Sequence, residues 1–375
     1  MSARPNLGTM SGRLDVYDLW VGGTDSGAGV YHTYRIPALV VTTRGTLVAI
    51  CEGRKHTHHD VGVIDLLVRR SEDGGRTWSD TAVIATEDGQ TCGNPAPIVD
   101  RDTGAIWLPF CKNPAFEDSE SRGHKWRYDR PVWLTHSADD GRTWAAPVEI
   151  TEHVKDPLWT WYSTGPVHGI QLASGRLIAS CTHRLRGSGR DDDQDRSRYS
   201  HVIYSDDHGG TWQFGGSVPQ EGTNECAALQ TTSGALYLTC RDQGGGGRRY
   251  AAWSYDQGAS FAEVRPDETL IEPRCEASIV RLTDSRRHDR DRVLFANPAS
   301  RTRDTLTVRL SYDECRSWPI AKVLEPGIAA YSDLAVSANL NIFCLYERGT
   351  ASPYERLTLA RFDLPWLTAG ADDIA

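Results

Sequence analysis

An all-β fold of repeated antiparallel sheets, closed on itself as a β-propeller, is what this sequence predicts, and three observations point to it. An eight-residue pattern, Ser-x-Asp-x-Gly-x-Thr/Ser-aromatic, recurs five times along the chain. Alternating or β-branched runs precede the copies, as strands would. The 375 residues include 35 Gly, 12 Trp and 14 Tyr but only 2 Met, a mixture that suits many short strands joined by tight turns.

The copies read SEDGGRTW at Ser71–Trp78, SADDGRTW at Ser137–Trp144 and SDDHGGTW at Ser205–Trp212, then SYDQGASF at Ser254–Phe261 and SYDECRSW at Ser311–Trp318. Their starts lie 66, 68, 49 and 57 residues apart, the spacing of a repeat architecture. Each copy is predicted to be a hairpin turn. Ser and Asp side chains bond turn amides, Gly takes the positive φ, and the aromatic packs back between sheets. Cys315 stands where the last copy should have Gly, so that turn must hold a strained residue.

Strands are expected before the turns, at Val63–Arg70, Arg130–His136 and Tyr199–Tyr204. More are expected between them, at Leu47–Glu52, Ile106–Phe110, Arg176–Cys181, Ala235–Cys240, Arg292–Ala296 and Leu340–Tyr346. Four-stranded sheets arranged in a ring leave few exposed edges. No linker divides the chain, so 1–375 reads as one domain, with 1–20 and 368–375 as tails or as the segments that close the ring. The run Arg186–Arg198 is expected to be a solvated loop.

Hydrophobic residues make up 39% and charged residues 24%, enough for a packed core. A net charge of -9 argues against nucleic acid or an anionic membrane as partner. It leaves room for an anionic ligand in a pocket that concentrates arginine. No stretch has the length of a membrane span, and no signal peptide is visible near the start, which suggests a cytoplasmic protein. Nine cysteines fall mostly in apolar runs without a CxxC pair, so they read as reduced core residues.

The five copies resemble the Asp boxes of the sialidase superfamily. Tyr34-Arg35-Ile36-Pro37 resembles the (F/Y)RIP motif that opens exo-α-sialidases, glycoside hydrolases with a six-bladed propeller of four-stranded antiparallel blades. The resemblance spans nearly the whole chain and implies roles residue by residue. Asp60, after Cys51–Glu52–Gly53–Arg54, matches the acid/base, and Arg54 the arginine of (E/D)GR. Glu225, followed by Arg241-Asp242, matches the base that activates a nucleophile. Tyr331, beyond the last box, matches that nucleophile. Arg35, Arg241 and Arg309, the last directly before Ser311, match three arginines that bind the substrate carboxylate, and Glu347 matches the acid that braces the first. Asn94 in Gly93-Asn94-Pro95 is similar to a partner for a sugar hydroxyl or amide, and Trp161 and Tyr162 to a pocket rim.

Physical chemistry supports these roles independently. Three guanidiniums on one carboxylate give paired, charge-assisted hydrogen bonds that lysines do not reproduce. A carboxylate nucleophile is repelled by a substrate carrying its own carboxylate on the reacting carbon. A phenol is uncharged until a base takes its proton, and sialidases with a Tyr nucleophile are a known exception to the two-carboxylate rule. The implied activity is a retaining exo-α-sialidase acting on terminal sialic acid of glycoconjugates, without cofactor or metal. Three alternatives stay open: a hydrolase for a related ulosonic acid such as KDN or Kdo, a trans-sialidase, and a non-catalytic glycan-binding propeller.

Other motifs carry blander readings. The box aspartates serve turns. His56, His58, His59 and Asp60 lack the helical spacing of a metal site. Gly244–Gly247 reads as a hairpin. Asp191, Asp193 and Asp195 begin like a calcium loop, but Arg196 replaces its Gly and the closing Glu is missing.

Overall fold

A computed structural model describes residues 12–115, 129–186 and 197–374. After β1 (Leu14–Val21), the first blade is β2 (Thr33–Val41), β3 (Leu47–Arg54), β4 (Ile64–Ser71) and β5 (Ala82–Ala85). The second contains β6 (Gln90–Gly93), β7 (Ile98–Val99), β8 (Ile106–Pro114), β9 (Val132–Ser137) and β10 (Val148–Glu149). The third contains β11 (Trp159–Thr164), β12 (Ile170–Gln171), β13 (Leu177–Leu185), β14 (Arg198–Ser205) and β15 (Gln213–Ser217). The fourth is β16 (Thr223–Gln230), β17 (Leu236–Asp242), β18 (Arg248–Ser254) and β19 (Ala262–Ile271). Then come β20 (Ser278–Thr283), β21 (Arg292–Pro298), β22 (Asp304–Ser311), β23 (Ile320–Val336), β24 (Ile342–Gly349) and β25 (Arg356–Phe362).

These last strands make two blades, because β23 is long enough to serve both. Its first half pairs with β22, as Leu310↔Ile320 to Asp304↔Ile328, and is the outer strand of blade five. Its second half pairs with β24, as Ser332↔Tyr346 to Val336↔Ile342, and is the inner strand of blade six. The outer strand of blade six is β1, antiparallel to β25 from Leu14↔Phe362 to Val21↔Arg356. The expected six-bladed propeller is therefore the fold, and the segment around residue 20 closes the ring.

The cores lie between blades. Leu39, Ala49 and Leu67 of blade one meet Phe343 and Leu345 of blade six; Ile50 and Val68 of blade one meet Leu108 and Phe110 of blade two. The same arrangement repeats around the ring. Each fully buried aliphatic side chain contributes about 1.5–3 kcal/mol, so blades stabilise one another and not themselves alone. Cys315 among them is buried, as are the other eight cysteines, none in a disulfide. No helix among the described residues is long and apolar enough to cross a membrane.

The five boxes are the turns between the third and outer strands of blades one to five. In the first, Gly75 N donates to Ser71 Oγ at 2.8 Å, while Thr77 N and Thr77 Oγ1 donate to the Asp73 carboxylate at 3.0 and 2.7 Å. Cys315 repeats the geometry, its amide donating to Ser311 Oγ at 3.0 Å. Its φ of 68° costs a non-glycine residue roughly 1–2 kcal/mol, offset by burial of its side chain beside Trp318 and Phe295. Blade six has no box because its third and outer strands are not consecutive in the chain. Gly209 of the third box, at φ 91°, lies so close to blade two that a Cβ would sit 2.0 Å from Trp107 Cε2. Gly209→Ala is expected to lower the thermal midpoint by several degrees, through clash and strain together of about 3 kcal/mol. A scanning-calorimetry midpoint equal to wild type would contradict this.

The reading of Asp191, Asp193 and Asp195, and most of the loop Arg186–Arg198, lies outside the described residues.

Candidate active site

Box turns gather at one face of the ring. Strand ends at the opposite face enclose a cavity of about 710 Å³ lined by Arg35, Arg54, Asp60, Asn94, Trp161, Glu225, Arg241, Arg303 and Tyr331 among others.

Arg35 owes its aim to a break in β2. The register with β3 shifts between Arg35 and Ala38, and Ile36 takes φ 58°, a conformation that β-branched residues rarely adopt. Such a bulge re-aims a side chain. Pro37 has no amide to lose there, and the Ile36 amide is caught by Glu347 Oε1 at 3.0 Å. Arg35 Nε and Nη2 donate to the two oxygens of Glu347 at 2.9 and 3.2 Å, and Nη1 donates to Asp60 Oδ1 at 3.0 Å. Glu347 is 0% exposed and also accepts the Tyr331 amide at 3.2 Å. Burial disfavours the Arg35 cation, but Glu347, Tyr354, Asp60 and Tyr331 together outweigh it, so Arg35 stays protonated. Removing either partner of such a buried pair costs about 3–5 kcal/mol.

Asp60 stands in the loop after β3, its side chain 54% exposed, between Arg35 and Arg54. Arg54 Nη1 donates to Asp60 Oδ1 at 3.2 Å and to the His58 carbonyl, while Nε and Nη2 grip Glu52 Oε2 at 2.9 and 2.6 Å. The His58 and His59 rings lie tilted against each other, and His58 stacks on Tyr354. Burial, then Arg35 and Arg54, hold the His58 imidazole below its ordinary pKa.

Glu225 enters on β16 and Arg241 on the neighbouring β17. Tyr331 OH donates to Glu225 Oε1 at 2.5 Å, and Arg241 Nη1 donates to Glu225 Oε2 at 2.7 Å and to the phenol oxygen at 3.1 Å. Burial holds the Tyr331 phenol well above the usual tyrosine range. Glu225 pushes the same way, while Arg241 and Arg303 pull it down. The phenol is thus protonated at neutral pH, with an acceptor already on its proton.

The structure departs from expectation at two positions. Arg309 lies near the box end of β22, opposite Phe295 and Ala321, and does not line the cavity. Burial lowers its pKa, with Asp267 the nearby charge. At about 3.3 Å per residue a guanidinium beside the box cannot reach the far face. Arg303, just before β22, takes the place: its guanidinium carbon is 5.2 Å from the Tyr331 ring centroid, and Nη1 donates to Tyr354 OH at 2.8 Å. Tyr162 is buried within blades two and three, its hydroxyl 3.0 Å from His201 Nε2, because neighbouring strand residues face opposite ways. Trp161 does line the cavity, under the Arg130 guanidinium at 4.6 Å.

Arg303, Arg130, Glu52 and Tyr354 escaped the sequence reading. Arg130 Nη1 donates to Asn94 Oδ1 at 2.9 Å, which turns the Asn94 amide nitrogen away as a donor. The signal for Arg303 was its place a whole strand before the box, where a side chain reaches the cavity.

Sets of acidic and imidazole groups that could share an ion were found, among the described residues, only at Asp100, Asp102 and His208. These lie outside the cavity lining, and Asp100 already accepts from Thr103, Gln171 and the Asp102 amide.

Comparison with known proteins adds to this geometry. The family model of the BNR repeat-like domain matches residues 45–344. A sialidase of Micromonospora viridifaciens is 34% identical over 367 residues, covering 93% of this chain and 54% of its own length. This chain therefore spans about half of that relative. An exo-alpha-sialidase of Aspergillus fumigatus is 29% identical over 379 residues, covering 92% of this chain and 87% of its own length. Among solved structures, the Hadza microbial sialidase Hz136 superposes with a TM-score of 0.81 at 28% identity, covering 94% of this chain and 69% of that one.

Proposed function

The chain belongs to the exo-α-sialidase family of glycoside hydrolases, and from that premise we propose that it releases terminal α-linked sialic acid from glycoconjugates with retention of configuration. The observation that carries this reading is the Glu225 carboxylate, bonded at once to the Tyr331 hydroxyl and to Arg241.

Arg35, Arg241 and Arg303 bind the sugar carboxylate, drawing it over the Tyr331 ring. Glu225 takes the phenol proton as Tyr331 Oη attacks the anomeric carbon. The bond to the leaving oxygen breaks and Asp60 delivers a proton to it. Water then enters. Asp60 takes one of its protons, hydroxide attacks the anomeric carbon, the tyrosyl ether bond breaks, and the phenolate recovers its proton from Glu225. Arg241 and Arg303 stabilise the transient phenolate, since oriented cations act most strongly where charge develops in a water-poor site. Asp60, the exposed member, faces the side where the leaving sugar departs. Asn94, with its carbonyl oxygen taken by Arg130, presents a donor to an acceptor on the bound sugar.

Two displacements restore the starting configuration. Proton NMR of the first minutes of hydrolysis should show the α anomer of the free sugar before mutarotation, read from the C3 protons. A β anomer appearing first would mean direct attack by water and would refute the Tyr331 intermediate. No turnover of any α-ketoside would leave a glycan-binding propeller.

A further inference from the structure

The backbone that carries Tyr331 is held in an unusual way. The register of β23 with β24 shifts between Ala329 and Ser332, so the amides at this break need other partners. Two buried acids supply them in succession. Glu347 Oε2 takes the Tyr331 amide at 3.2 Å, and Glu276 Oε2 takes the Ser332 amide at 2.9 Å. Glu276 comes from blade five, just before β20, and is 2% exposed.

The two acids differ in what balances them. Glu347 is matched by Arg35 on both oxygens. Glu276 Oε1 is buried with no hydrogen-bond partner among the described residues. Charged and titratable groups facing Glu276 are Glu225 on β16, Arg249 on β18, Asp333 on β23, Cys344 on β24 and its neighbour Cys275. Arg249 spends its hydrogen bonds on Thr239 and on the carbonyls of Cys275, Thr239 and Glu225, with Glu272 3.7 Å away. Asp333 has its own cradle, held by His168 Nδ1 at 2.7 Å and the amides of Leu39 and His168 at 2.8 and 3.0 Å. A third carboxylate beside Glu225 and Asp333, with one amide for a hydrogen-bond partner and Arg249 engaged elsewhere, has too little to offset its desolvation.

We propose that Glu276 is a positioning residue for the nucleophile, gripping the Ser332 amide as a neutral carboxylic acid so that Tyr331 is fixed without a further negative charge beside Glu225. The assignment rests on the reading of Tyr331 and Glu225 as the reacting pair. Burial, then Asp333 and Glu225, push the Glu276 carboxyl up, against the Ser332 amide, which pulls it down; the geometry and the electrostatics agree. The neutral form has a purpose. A negative charge at Glu276 would add repulsion at Glu225, the carboxylate that must accept the phenol proton. Arg35 lies against both oxygens of Glu347; Glu276 has no such partner and, as a neutral acid, serves the adjacent amide at no electrostatic cost to the base.

Glu276→Gln and Glu276→Met, assayed as purified full chains on a fluorogenic sialoside, separate the possibilities. Glutamine keeps an acceptor for the Ser332 amide and replaces O–H by N–H. Its kcat should stay within about 3-fold of wild type, and the acid limb of its kcat/KM profile should not move. Methionine fills the space without a strong acceptor. Its kcat should fall about 10²-fold, as expected when a reacting group is misplaced, with KM changed little. An acid limb displaced to lower pH in Glu276→Gln would show that the native residue is charged and overturn the proposal. So would a glutamine variant as impaired as the methionine one, or a methionine variant with wild-type kcat. Should Glu276→Met fail to fold, judged by circular dichroism, the pH profile of Glu276→Gln decides. Tyr331→Phe assayed beside them reports on the underlying reading alone, because full activity there removes the nucleophile and not the amide contact.

Discussion

Tyr331→Phe is expected to lower kcat by at least about 10³-fold, the scale at which members of a catalytic unit fail, while the fold is kept. The ring remains, and so do its contacts with Ile36, Cys275 and Ala330. What is lost is one hydroxyl and its bond to Glu225, about 1 kcal/mol of stability for an ordinary hydrogen bond. Catalytically the loss is total for this route, since among the described residues no other hydroxyl or thiol is bonded to Glu225. Glu225→Gln should cost a similar factor, because a buried phenol held above its ordinary pKa cannot shed its proton to an amide. The double variant should be little worse than either single one, as Glu225 and Tyr331 act as one unit. A fluorinated sialic acid inactivator followed by peptide mapping should find the adduct on Tyr331. Label on Glu225 or Asp60, or losses that multiply in the double variant, would assign the residues separate roles.

The next largest effect concerns two arginines. Arg303→Leu should reduce kcat/KM by about 10²–10³-fold, the cost of truncating one partner of a desolvated charge contact. Arg309→Leu should leave kcat/KM within about 3-fold of wild type, as surface-like positions do. Arg303 lines the cavity and lies over the Tyr331 ring, so its removal weakens carboxylate binding and also destabilises the phenolate. Arg309 is confined to the box end of the same blade. Affinity for a carboxylate-bearing transition-state analogue, measured calorimetrically, should follow the same order. A larger loss at Arg309 than at Arg303 would restore the assignment that spacing alone suggests.

The contrast between these two residues also shows where sequence reading stops. The turns were legible because each box carries its own local chemistry, Ser and Asp side chains closing on amides a few positions on. Arg35, Asp60, Glu225, Arg241, Tyr331 and Glu347 stand in local motifs, and the structure brings all six together. The third arginine has no motif of its own. Its position depends on how many residues β22 needs to cross the blade, which is a length and not a pattern. Tyr162 illustrates a second limit: beside Trp161 in a bulged strand, which of two aromatics faces the cavity is set by a register break that composition does not reveal. Glu276 illustrates a third, since its meaning lies in the amide of a residue from another blade. The sixth blade escaped the repeat count because its outer strand comes from the other end of the chain.

That last arrangement bears on how the protein is made. On the ribosome β1 emerges long before its partner β25, so the pairing of Leu14 with Phe362 must wait for every strand between them. Contacts so distant in sequence slow folding, and until they form, the first strand and the last blade each present an unpaired edge to other nascent chains. A message truncated before Arg356 would yield a polypeptide with intact box hairpins and a permanently open seam, prone to stick to its neighbours. Joining β25 to β1 and cutting instead between blades one and two, in the link from β5 to β6, should give a permuted chain in which every blade is synthesised as one consecutive unit, and such a chain should fold faster than the natural order allows.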